Sequence, residues 1–168
     1  FDTINYNKFD AVVVMADSIQ TPGLSEKIEE RLNDEYKGKV LFVEGDTKKY
    51  PNEIQDNYTP IKKVISHLIE EHKFTDIAFL TGKSWHPHAK KRLQAFIDCM
   101  EEHGIKVPED RIFYGDFWYT SGESVADRLT KKGVKLPQAV ACANDAMALG
   151  LAKSLVSKGY KIPEDIRS

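Results

Sequence analysis

Short apolar runs alternate with amphipathic stretches along most of the chain. Residues 11–15 (AVVVM) are β-branched and apolar, the composition of a buried strand ending at Ala16-Asp17-Ser18. Leu24, Ile28, Leu32 and Tyr36 then recur at helical spacing, with Thr21 placed to cap and Pro22 suited to the first helical position; Gly38 stops this helix. Val40 to Val43 predicts the next strand, and the polar stretch from Thr47 to Asn57 reads as a linker. Thr59-Pro60 repeats the cap-then-proline start ahead of a clean amphipathic stripe, Ile61, Val64, Ile65, Leu68 and Ile69. A strand over Ile77–Leu80 stops at Gly82, a loop from Thr81 to Ala89 follows, and Leu93, Phe96, Ile97 and Met100 mark a helix. The pattern repeats with a strand over 111–115, an aromatic loop, a capping box at Thr120-Ser121-Gly122-Glu123, and Val125 and Leu129 facing inward. A last strand over Leu136–Cys142 leads through Asn144-Asp145 into a helix whose buried face is Ala148, Leu151, Ala152, Leu155 and Val156.

Such alternation predicts an α/β architecture with parallel strands and right-handed crossovers, and ligands of such sheets bind outside the carboxyl ends of the strands. The lobe boundary falls in the polar stretch, giving segments 1–56 and 57–168. Composition sets limits on partners. The 168 residues are 41% hydrophobic and 30% charged, with a net charge of −2, so the chain lacks the basic excess that phosphate neutralisation requires. Its apolar runs fall far short of the roughly 20 residues of a membrane helix, and no signal-peptide pattern opens the chain. A first residue of Phe1 reads as a fragment or processed form. Cys99 and Cys142 read as small buried hydrophobes, which favours a reducing, cytoplasmic setting.

The candidate chemistry gathers at predicted strand ends. Thr81-Gly82-Lys83-Ser84 has the tail of a phosphate loop, but Ile77 stands where its first glycine is needed. His86 and His88 flank Pro87 without further metal ligands nearby, so they read as polar loop residues, with ligand contact through a ring nitrogen as the alternative. Phe117, Trp118 and Tyr119 offer rings for the apolar face of a sugar, or for packing on the next helix. Asn144 either caps a helix or pairs with hydroxyls, and the Arg92 fork can donate to adjacent oxygens. Arg92 sits on a helix flank, where truncation is expected to leave folding unaffected. No nucleophile, base and orienting group form a set, so no enzymatic activity and no cofactor are expected.

Several segments carry a resemblance: Asp56-Asn57 with the helix ending HLIEEH, then IAFLTG, KRLQAF, GDFWYTSGE and ACANDAMALGLAKSLVSKGYKIPEDI. Together, over Asp10 to Ile166, they resemble the effector-binding core of the LacI/GalR family of transcriptional regulators. That resemblance implies a periplasmic-binding-protein-like fold of two Rossmann-like lobes, here a partial first lobe and most of the second. It implies a small polar effector, of carbohydrate type, held between lobes, and a homodimer reaching DNA through a headpiece outside this segment. Arg92, Asn144 and Phe117 match the family's ligand-binding arginine, asparagine and stacking aromatic. His86 and His88 fall at loop positions that touch ligand, Trp118 is a further candidate, and Asp17 is the candidate from the first lobe. The HPHAKKRLQAF variant also resembles sensor domains fused to diguanylate cyclases, kinases or AraC-type regulators, and the fold is shared with periplasmic sugar-binding transport proteins.

Overall fold

A computed structural model describes residues 3–19 and 21–167, with the side chain of Asp17 outside what it describes. The chain divides into two compact units, Phe1–Asp56 and Asn57–Ser168.

In the first unit β1 (Ala11–Met15), β2 (Lys39–Val43) and β3 (Asn52–Glu53) form a parallel sheet in that order, with Val13 opposite Leu41 and Phe42 opposite Asn52. Helix α1 (Leu24–Glu35) supplies Ile28 and Leu32 to a core shared with Val14, Val40, Phe42, Tyr6 and Tyr36. The strand expected to be wholly buried is not. Val13 and Met15 are 56% and 51% exposed, because strand side chains alternate between faces and the core contacts draw on only one of them. Thr21 does not cap α1 either. Its carbonyl accepts the Leu24 N–H at 3.2 Å across Pro22-Gly23, with Gly23 at φ +76°, the signature of a proline–glycine turn that delays the helix. Within the expected linker, β3 extends the sheet, and the Asn52 amide clamps Gly45 by accepting its N–H (3.1 Å) and donating to its carbonyl (2.6 Å).

The second unit is built on β4 (Ile77–Thr81), flanked in parallel by β5 (Ile112–Tyr114) and β6 (Ala139–Cys142). All five β4 residues are buried, as a central strand covered on both faces requires. Helices α2 (Thr59–Glu70) and α3 (Pro87–Glu102) pack together, as do α4 (Tyr119–Leu129) and α5 (Asp145–Ser157). Phe79 of β4 stacks on Phe96 of α3 with centroids 5.0 Å apart, and the Thr81 hydroxyl donates to the Ala89 carbonyl at 3.1 Å. Helices α4 and α5 meet backbone to backbone: a Cβ on Gly150 would stand 2.1 Å from the Tyr119 carbonyl oxygen. Past α5 the chain returns beside β6, where Ala139 bridges Arg167 in parallel.

Four expectations are corrected in this unit. Tyr58, not Thr59, is the N-cap of α2. Helix α4 starts at Tyr119 with Trp118 as its N-cap, so Thr120 lies inside the helix and caps nothing; ahead of it Asp116 accepts the Ser121 hydroxyl and the Trp118 N–H, the latter at 3.1 Å. Those bonds, the Ser121 hydroxyl foremost, hold the Asp116 carboxyl below its usual range. Val64 and Val156 are 52% and 58% exposed, at the edges of their helical stripes. Strand β6 is shorter than its apolar run, beginning only after Pro137.

Candidate functional site

Parallel neighbours bring the carboxyl ends of β5, β4 and β6 to one edge, and three loops leave from it. The first runs from Gly82 to His86, which is the N-cap of α3 with Pro87 in the first turn. This puts Arg92 in the second turn of α3, over the same edge. Its Nε donates to Asn57 Oδ1 at 2.8 Å, Nη2 donates to that same oxygen, and Nη1 donates to the Ala143 carbonyl at 2.7 Å. The half-buried guanidinium thereby joins three separate segments: the start of the second unit, α3, and the loop after β6. Asn57 is itself buried, 7% exposed, and its amide nitrogen lies 2.9 Å from His88 Nδ1.

Phe117 forms the second half of the site. It adopts φ +72°, strained for a residue with a side chain, and its carbonyl accepts the Asn144 Nδ2 N–H at 2.9 Å. Its ring lies against the backbone of Gly82, where an added Cβ would sit 2.0 Å from Cζ. The edge of the buried His86 ring meets it at a centroid distance of 5.2 Å, and His86 stands 5.3 Å from His88. Asn144 also accepts the Met147 N–H at 3.0 Å, so the capping expectation for this residue is met by the same amide that clamps the Phe117 loop.

Five of the candidates, Arg92, Asn144, Phe117, His86 and His88, therefore stand together at this edge. Trp118 does not join the packed group: Phe117 turns inward while Trp118 is 60% exposed. Asp17 belongs to the first unit, and its side chain lies outside the described residues. Sequence reasoning missed Asn57 as a site residue, because an asparagine after a polar stretch carries no signal of a partner 35 positions away. The Ala143 carbonyl was equally invisible. Burial pushes the Cys142 thiol up to about 12 and also raises that of Cys99, which stays a buried, hydrogen-bonded neighbour of Ser66. Among the described residues no group of three or more His, Cys, Asp or Glu could hold a metal ion, and no helix is long and apolar enough to cross a membrane.

Residues 65–167 match the family described as a periplasmic binding protein-like domain. The HTH-type transcriptional repressor PurR of Vibrio cholerae serotype O1 is 31% identical over 161 residues, covering 95% of this chain and 46% of that protein. Among solved structures, the transcription regulator CcpA of Lactococcus lactis superposes with a TM-score of 0.76 at 25% identity, over 95% of this chain and 56% of that one. A complex of the transcriptional regulator CelR with cellobiose gives a TM-score of 0.74 at 25% identity, over 94% of this chain and 47% of that one. The chain spans less than half the length of the curated relatives it matches. By the matched segment and the parallel sheets, the chain belongs to the periplasmic binding protein-like family, and the proteins it is similar to are transcription regulators of the LacI/GalR kind.

Proposed function

We propose that this chain is the effector-binding part of a LacI-type transcriptional regulator and takes a small carbohydrate or carbohydrate-like ligand at the carboxyl edge of its second sheet. The observation that carries this reading is the Arg92 guanidinium, held between Asn57 and the Ala143 carbonyl beside His88, with the Phe117 ring nearby. A sugar presents paired hydroxyls suited to a planar fork and an apolar face suited to a ring, and CelR was solved with cellobiose. The role is binding without a chemical step. Segments 1–56 and 57–168 are read as a partial first lobe and most of a second, with Asp17 and Trp118 as further ligand contacts.

In the whole protein, effector binding favours one arrangement of the lobes, and the population shift reaches DNA through a headpiece outside this segment. A cytoplasmic location follows from that role. A homodimer is supported by the neighbouring helices α4 and α5, which expose Tyr119 (47%), Leu149 (45%) and Val156 (58%), with Trp118 at the start of α4. The test is titration calorimetry with a panel of neutral mono- and disaccharides including cellobiose. A binder is expected in the panel, and Arg92→Lys, which keeps the charge but loses the fork, is expected to weaken it at least about tenfold, equivalent to about 1.4 kcal/mol. Binding that is indifferent to Arg92→Lys overturns the assignment of this edge.

A further inference from the structure

Arg92, Asn57 and His88 form a chain of hydrogen bonds whose polarity is fixed from one end. A guanidinium has donors and no acceptor. Its Nε and Nη2 both meet one oxygen of the Asn57 amide, and the opposite amide flip would set N–H against N–H. The acceptor end of Asn57 therefore faces Arg92, and the amide nitrogen, a donor only, faces His88 Nδ1 at 2.9 Å. That ring nitrogen accepts, so the proton of the neutral imidazole sits on Nε2.

We infer that Asn57 is a specificity-determining residue, which passes the donor-only character of Arg92 to His88 and makes His88 Nε2 a hydrogen-bond donor at the ligand edge. Whatever meets Nε2 must then accept: a hydroxyl or ether oxygen, a carbonyl, or a bare ring nitrogen matches, while an N–H or ammonium group is mismatched. Asn57 is suited to this relay because it is buried and because it alone in the chain of three carries both a donor and an acceptor of fixed identity. Replacement by aspartate keeps the shape and reverses the relay. A carboxylate accepts from Arg92 and from His88 alike, which moves the ring proton to Nδ1 and leaves Nε2 an acceptor.

The meaning for ligand choice rests on the proposed effector site, but the tautomer does not, and its test needs no ligand. The whole chain, labelled with ¹⁵N-histidine, is studied by long-range ¹H–¹⁵N correlation in alkaline buffer, where an ordinary imidazole is neutral. His88 is assigned by the signals lost in His88→Gln. Wild type is expected to show Nε2–H, Asn57→Asp to show Nδ1–H, and Asn57→Ala a mixture of the two. Nδ1–H in wild type, or an Nε2–H ring unchanged by Asn57→Asp or by Asn57→Ala, overturns the inference. A chain that shows the expected switch and binds no carbohydrate refutes the site and leaves the relay standing.

Discussion

Arg92→Ala is expected to destabilise the second unit as well as to disturb the proposed ligand site. The substitution deletes the donors to Asn57 Oδ1 and the donor to the Ala143 carbonyl. A hydrogen bond to a charged group contributes about 1.5–3 kcal/mol, and a buried polar atom left without a partner costs about 1–3 kcal/mol. Arg92 is only half-buried, so water recovers part of the loss at Ala143, whereas Asn57 at 7% exposure has little access to it. The net cost is then about 2 kcal/mol. At the roughly 4 °C per kcal/mol of a domain of this size, the melting temperature falls by about 8 °C. This geometry argues against the expectation that truncation on a helix flank leaves folding unaffected.

The assay follows from composition. Both tryptophans of the chain, Trp85 and Trp118, lie in the second unit, so fluorescence excited selectively at tryptophan reports on that unit during urea unfolding. Asn57→Ala removes the acceptor but leaves a guanidinium that can hydrate, and its expected cost is about 1 kcal/mol. Because the two residues share the bond, the double variant is expected to cost less than the sum of the singles, with a coupling of about 1 kcal/mol. An Arg92→Ala protein whose unfolding midpoint matches wild type, or a strictly additive double variant, refutes the view that Arg92 holds the loops together.

Gly82→Ala places a methyl group in the seat of the Phe117 ring and is expected to cost about 1–3 kcal/mol in urea titrations. Most of that is recovered in the Gly82→Ala, Phe117→Gly double variant, which removes both the ring and the strain at φ +72°. His103 accepts no such steric test but has a pH test. The Cys99 carbonyl at 2.7 Å and the Glu70 carboxylate at 3.0 Å raise it above the ordinary imidazole value. A raised folded-state value gives stability that is fully present below about pH 6.5 and is lost as pH rises through the raised value. The unfolding midpoints of wild type and His103→Gln are therefore expected to converge between mildly acidic and alkaline buffer, and a constant gap refutes the assignment. On the first sheet, Val13→Lys with Met15→Lys is expected to reduce concentration-dependent association in sedimentation velocity, since 56% and 51% exposed apolar side chains sit side by side on one face of an edge strand. Equal association in both proteins refutes that route.

Element order was legible because it rests on local periodicity. The stripe of α2, the run of β4 and the Asn144 cap of α5 are each decided by residues within a few positions of one another. Errors concentrate where two local rules compete. Thr21-Pro22 satisfies a helix start, but Pro22-Gly23 also satisfies a turn, and the turn prevails. Thr120 to Glu123 has the letters of a capping box, yet the helix has already begun at Tyr119, where Asp116 accepts the N–H of the N-cap residue Trp118. At the site, residue types chosen for their chemistry came together at one edge, and which of Phe117 and Trp118 turns inward was not legible. That choice depends on the positive φ of Phe117 and on an amide 27 positions away.

Arg92 shows why a site residue can be read from sequence when its work cannot. An arginine side chain carries about 2 kcal/mol of rotamer entropy, which a ligand must overcome if the side chain is ordered only on binding. Here the fork is ordered by Asn57 and Ala143, so that entropy is lost on folding and the protein's own stability carries it. Two consequences oppose each other. At the proposed site preorganisation increases what the guanidinium contributes to affinity, but the Nε and Nη2 bonds already made to Asn57 compete with any ligand oxygen for those donors. The geometry of a fitting hydroxyl pair is therefore set as much by Asn57 as by Arg92. On the proposed site, substituting either residue is expected to alter which ligand fits, and only Arg92 carries a signal of this in the sequence.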